Sequence, residues 1–290
     1  MRKMKARFPR FDFSKVRAHW APSAEFSQRG NAASLIPAHI EPYLLKVMRK
    51  AQPLLKQRGA SEQLQQDLDI FIKQEMQHCK QHISFNNRIH ALGYEALKPL
   101  EEKLAADFDN FLNTRSLRFN LAYCEGFESM SATACIYYFE DYLPFLEGAD
   151  KEPADMWKWH LAEEFEHRSV CFDVFHELSG LDPVSRYFYR VYGYFYALVH
   201  LAKFAIAAGK VLTEVDHKNL SPEAIEASKQ RDAEVKKVTK SGMPGMMLAI
   251  LAPWYHPRNR REPNGYSAYL AQFEAERCTT PASRTAAAAA

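Results

Sequence analysis

Residues 71–87 read FIKQEMQHCKQHISFNN, and residues 157–173 read WKWHLAEEFEHRSVCFD. In the first stretch Glu75, His78 and His82 are spaced three and four apart; in the second His160, Glu164 and His167 are spaced four and three. Such spacings put each trio on one face of an α-helix. Each stretch therefore carries a Glu-x-x-His pair, whose carboxylate oxygen and imidazole nitrogen, one turn apart, reach the same volume. That suits a metal ion taking mixed nitrogen and oxygen donors.

Working outward from these stretches, helix signals dominate and alternating strand patterns are scarce, so the chain reads as all-α. Pro37 suits a first helical turn, and helix one is expected to run from there to about Arg58, kinked at Pro53 and ended by Gly59. Helix two opens at Ser61, runs to Leu92 and stops at Gly93. Helix three is expected over Ala106 to Tyr142, and helix four from Pro153 to Gly180. Short turns make two antiparallel hairpins joined by a crossover at 92–105, giving a ferritin-like four-helix bundle with additional C-terminal helices. The expected organisation is an irregular arm at 1–36, the bundle at 37–180, a helical extension of the same domain at 181–263 and a tail at 264–290. The extension holds an aromatic helix at 184–216, a charged helix at 221–240 and a Pro-rich stretch from Pro244 to Pro263.

The hairpins supply further ligands. Glu41 lies about as far before the Gly59 turn as His78 lies after it, so antiparallel pairing brings them level. Glu128 precedes Tyr142 by the same interval that His167 follows Pro153. Glu125, one turn from Glu128 on the same face, is an alternative. The candidate ligand set is Glu41, Glu75, His78, His82, Glu128, His160, Glu164 and His167, with His82 and His160 either further ligands or hydrogen-bond partners of the others. Two divalent cations would cancel four buried carboxylates, which are prohibitive without compensation. Glu163 and Glu166 lie off this face and are expected to be solvated or paired with Arg168. His39, His90, His176, His200, His217 and His256 lack a partner pattern and read as capping or packing residues.

Composition narrows the function classes. With 47% hydrophobic and 25% charged residues the chain should fold, and a net charge of +3 gives no argument for nucleic acid. The first ten residues are basic, and with Phe8, Phe11, Phe13 and Trp20 they read as an arm packed on the surface by its aromatics. Five scattered cysteines without a Cys-x-x-Cys pair suit a reducing compartment, and the start lacks a secretory pattern, so a cytoplasmic location is expected. Tyr187 to Leu212 is long enough to cross a bilayer, but Arg190, His200, Lys203, Lys210 and its many tyrosines favour a buried or partner-covered helix over a transmembrane span. The expected partner is a small-molecule substrate, with no nucleic acid; peripheral membrane contact and a homodimer are further candidates, and Tyr192, Phe195, Tyr196 and Phe204 of the aromatic helix read as the wall of an apolar substrate channel or a dimer interface.

These segments resemble a bacterial family of predicted metal-dependent hydrolases. Its Pro, Glu and aromatic stretch is similar to Pro37 through Glu41 and Tyr43, preceded by Ser34. Its Gln-Glu-x-x-His-x-x-x-His with a following Phe-Asn is similar to Gln74, Glu75, His78, His82, Phe85 and Asn86. Its Trp-His-x-x-Glu-Glu-x-Glu-His is similar to Trp159, His160, Glu163, Glu164, Glu166 and His167, continuing into Phe172 and Asp173. The family's helix-three Glu, usually followed by His, resembles Glu128, with Ser129 in place of the His; Ile40 replaces the Gly before the first Glu. The resemblance spans roughly residues 8 to 258 and includes Tyr255, His256 and Pro257. His160 ahead of Glu164 is also similar, by motif, to di-iron N-oxygenases, whose site takes an additional His ligand.

The resemblance implies a metal-dependent enzyme and by its label a hydrolase, whereas the ligand pattern favours iron; three functions are in view. Two irons with carboxylate and imidazole ligands suit dioxygen-dependent oxidation of a small or apolar substrate, and iron is the expected metal. Two zinc or manganese ions would instead activate water for hydrolysis, with metals about 3.5 to 4 Å apart. No Gly-x-Ser-x-Gly, His-Glu-x-x-His or His-Asp pattern adds independent support for hydrolysis. A non-enzymatic metal-handling or interaction protein is the third.

Overall fold

The computed structural model describes residues 4–240 and 243–278, and within them every regular element is helical. Eleven α-helices follow in order: α1 Ala24–Gln57, α2 Glu62–Ile89, α3 Lys98–Thr114, α4 Leu117–Phe139, α5 Leu143–Leu146, α6 Lys151–His167, α7 Val170–Leu178, α8 Pro183–His217, α9 Pro222–Lys240, α10 Met243–Ala249 and α11 Tyr266–Arg277. Several open on a capping side chain that accepts from a backbone N–H otherwise left unpaired: Ser23 from Phe26, Ser61 from Leu64, Ser116 from Phe119, and Asp182 from Val184 and Ser185. Gly59 and Gly93, at φ 71° and 106°, make the left-handed turns that end α1 and the single π turn following α2.

Helices α1, α2, α4 and α6, the last continued by α7, surround one core. Three boundaries differ from the sequence reading. Helix α1 starts at Ala24, not Pro37, and passes through Pro37, Pro42 and Pro53. An interior proline costs on the order of 3 kcal/mol, and the fully buried Leu35, Ile40, Leu44 and Val47 on the same helix outweigh it. The expected helix three is two helices: Ser116 caps a new start, so the crossover contains all of α3, with Pro99 in its first turn. The expected helix four breaks after His167, where the Arg168 guanidinium takes the Phe165 carbonyl. The segment expected as a tail contains α11, whose Leu270 and Phe273 join the core region, while the terminal alanines lie outside the described residues.

Residues 4–23 form an ordered strap across α2 and α6. Phe13 and Trp20 are buried as the sequence suggested, but so is Arg7, at 1% exposure. Helix α8 is long and apolar enough to cross a membrane by length and composition. Its inner face lies against α4 where Gly126 and Gly193 oppose each other's helices. A Cβ on Gly193 would stand 2.5 Å from the Ala122 carbonyl oxygen.

Candidate metal centre

All eight residues of the expected ligand set are buried in the middle of the bundle. Glu41 comes from α1, Glu75, His78 and His82 from α2, Glu128 from α4, and His160, Glu164 and His167 from α6. Seven of them form two groups able to hold a metal ion. Glu41, His78, His160 and Glu164 make one; Glu75, Glu128, Glu164 and His167 make the other. Glu164 belongs to both. Its Oε1 is 3.0 Å from His160 Nε2 and 3.6 Å from His78 Nδ1, while its Oε2 is 3.4 Å from His167 Nε2. Glu75 also lies between the groups, its Oε1 being 3.3 Å from both His78 Nδ1 and His167 Nε2. Glu41 Oε1 stands 3.4 Å from His160, and Glu128 Oε2 stands 3.3 Å from His167.

The outward edges of the three imidazoles fix which nitrogen faces the centre. Gln74 donates its amide to Glu166 and to the Lys5 carbonyl, so its Oε1 is left to accept from His167 Nδ1–H at 2.9 Å. His78 presents Nε2–H to Glu163 at 3.0 Å. Behind His160 stands His82, at 2.6 Å between Nε2 and His160 Nδ1. Ser34 donates to Asn86 Oδ1, so its oxygen accepts from His82 Nδ1–H, leaving His82 Nε2 to accept from His160. Each ring thus keeps its outward proton on one of these partners and turns its other nitrogen inward, the one that a metal would take. His82 joins neither group; it orients His160 from behind.

The electrostatics point the same way. Burial, then repulsion by Glu75, pushes Glu41 well above the usual carboxylate range; burial and Glu164 do the same to Glu128 and raise Glu75. Burial also opposes ionisation of Glu164, but His167, His160 and His78 outweigh it and hold Glu164 well below that range. Both carboxylate oxygens of Glu41, Glu75 and Glu128, with His78 Nδ1 and His167 Nε2, have no hydrogen-bond partner. Buried polar atoms are rarely left so, and here the orphans cluster where two cations would meet them. The donor set fits two divalent metals: four carboxylates balance two doubly charged ions.

The family model for predicted metal-dependent hydrolases matches residues 5–261. The chain belongs to that family. No curated protein and no solved structure matches it. The matched span includes the strap as well as the bundle, and the strap reaches the residues that orient the imidazoles. Arg7 donates to Glu163 at 2.7 Å and to both oxygens of Glu166 at 3.0 Å, and its Nε reaches Glu274 on α11 at 2.9 Å. Glu163 and Glu166 are therefore buried partners of Arg7, correcting the expectation of solvation or pairing with Arg168; Arg168 instead bonds the Phe165, Pro257 and Arg258 carbonyls. Turning off the ligand face of α6 carries Glu163 toward the far edge of His78, a neighbour that only tertiary geometry supplies.

Glu128, not Glu125, joins the ligand groups. Glu125 faces α8, accepting from Ser129 and lying 3.9 Å from Arg190. Of the other histidines, His176 stacks on Phe172 and His256 caps Arg258, in keeping with packing and capping, whereas His39 and His90 both hydrogen-bond Glu101, His200 bonds Tyr123 and His217 bonds Ser228.

Proposed function

We propose that the protein is a dinuclear non-haem iron enzyme that uses dioxygen to oxidise a small, largely apolar substrate. The observation carrying this reading is Glu164, which offers one oxygen to each of two buried ligand groups. Glu41, His78, His160 and Glu164 would hold one ion; Glu75, Glu128, Glu164 and His167 would hold the other. Bound iron would supply the electrons that dioxygen chemistry needs, which zinc lacks.

The protein's own residues do the rest. Glu163, Gln74 and His82 hold the three imidazoles in the tautomer that ligates. The His160–His82–Ser34 chain, with hydrogen bonds of 2.6 and 2.7 Å, holds the proton on His160 Nδ1 and ends on the buried Asn86 amide oxygen. Trp157, Trp159, Phe71 and Tyr138 pack around the imidazoles and keep bulk water away. A cleft of about 520 Å³ lies at the far end of the helix that carries Glu128; Ile136, Met246 and Trp254 would take the apolar body of a substrate there, and Arg260 and Arg261 a polar end. The unpaired cysteines suit a cytoplasmic setting.

Hydrolysis is the second reading, favoured by the family's description. Elemental analysis of protein purified without chelator, followed by dioxygen consumption of the reduced form, separates the two. About two irons per chain with oxygen uptake is the expected result. Two zincs or manganese ions, no uptake and cleavage of an ester or phosphate would replace oxidation with hydrolysis.

A further inference from the structure

Helix α8 is apolar on both faces. Gly193, Ala197, Leu201 and Ala208 are buried on the inner face, which packs on α4. On the outer face Val184, Phe188, Tyr192, Phe195, Val199 and Ile206 are 45% to 73% exposed. Their spacing keeps all six on the side opposite the core, in a stripe about 33 Å long at about 1.5 Å per residue. A helix hydrophobic all round belongs in an interior, and this one has half its circumference uncovered.

We infer that the stripe is a homodimer interface, with α8 of a second copy packed antiparallel across it. The stripe is centred on Phe195, so a two-fold axis there brings its two ends together. Turned about that residue, Val184 comes level with Ile206 of the second copy, Phe188 with its small Ala202, and Phe195 with its counterpart on the two-fold axis. Such self-complementarity is what an isologous contact requires. Phe188 opposite the small Ala202 gives a ring a place to seat on either side of the axis.

Charge agrees with this register. Lys210 has only an exposed 3.7 Å pair with Glu214. Antiparallel packing carries it to the start of α8 in the second copy, beside the capping Asp182, and brings Lys203 level with the aromatic pair Tyr187 and Phe188. The six side chains leave on the order of 600 Å² of apolar surface uncovered, near the upper end for a monomer and approaching the ~800 Å² per partner of a stable interface.

A lipid surface fits less well. A helix lying in a membrane interface carries Lys and Arg along its polar flanks, whereas the lysines here sit at one end. Nor is α8 free to leave the bundle and span a bilayer, because Arg190 is tied to the Ile250 and Ala252 carbonyls and Gly193 is seated on α4.

Sedimentation velocity of the full chain over a range of concentrations should give a dimer. Phe195→Glu, which sets two like charges on the axis, should give a monomer with unchanged helical circular dichroism. In a Cys79→Ser/Cys278→Ser background, Phe195→Cys should form a disulfide-linked dimer on mild oxidation while Ile206→Cys should not, since two copies of residue 206 lie at opposite ends. A monomeric wild type at every concentration overturns the proposal, as does equal cross-linking at 195 and 206. Flotation with phosphatidylcholine and phosphatidylserine vesicles, abolished by Phe195→Glu in a chain that never dimerises, would overturn it in favour of lipid.

Discussion

At Glu164 one side chain serves two ligand groups, so its loss should not resemble the loss of any other ligand. Glu164→Ala is expected to lower metal content from about two ions per chain to one or fewer, read by elemental analysis. Glu163→Gln leaves every ligand in place but withdraws the carboxylate that accepts from His78 Nε2–H; losing such a supporting partner typically weakens metal affinity about 10- to 100-fold, measurable by competition with a chelator. Glu125 tests a separate property. Burial pushes it up to about 7, against Arg190 and the Ser129 hydroxyl, from an ordinary value of 4.5. The native state thus holds this proton longer than the unfolded chain, so the associated stability is complete below pH 4.5 and is lost as pH rises through 7. Glu125→Gln should flatten the fall in denaturation free energy over that interval, which is worth roughly 3 kcal/mol. The candidate ligands were legible because the i, i+3 and i, i+4 spacings of helices translate directly into shared faces. His82 shares the face yet stands behind His160, and Glu163 leaves the face yet supports His78, because which side chain ligates and which orients depends on the helix opposite.

Among the elements, the sequence located the turns that close helices better than the helix starts. Gly59, Gly93 and Gly180 all mark positive-φ turns near the expected ends. Pro37 suggested a start because it is favourable in a first turn, but that local preference yields to burial on both sides of it. The Ser116 cap inside the expected helix three was outweighed by the helical pattern flanking it, so the crossover came out too short. The contact between α4 and α8 left little trace, since Gly126 and Gly193 read as ordinary helical glycines until both helices are in place. Gly193→Ala, with its new Cβ meeting backbone and no flexible side chain, should cost about 1 to 3 kcal/mol. A loss in thermal midpoint with metal content per folded chain unchanged would place the effect in packing and not in the centre.

Across the whole molecule, four buried carboxylates, three imidazoles and the Arg7 cluster form one charge system. Interactions with Glu163, Glu164 and Glu75 overcome burial to hold His78 well above its ordinary range, and Glu164, Glu128 and Glu75 do so for His167. Metal ions must displace those protons. Binding should therefore release protons and weaken as pH falls, which calorimetry in buffers of different ionisation enthalpy would measure. Arg7→Ala strips the cation from Glu163 and Glu166, and an uncompensated buried charge of this kind costs about 3 to 5 kcal/mol; urea denaturation should show it. The sequence displayed this arginine only as one of several in a basic start, because its partners lie at 163, 166 and 274. That separation makes one guanidinium the meeting point of two helices distant in the chain, α6 through Glu163 and Glu166 and α11 through Glu274. The strap is fully fastened only when both have docked, so a chain cut ahead of α11 should retain its ions less tightly than the intact one.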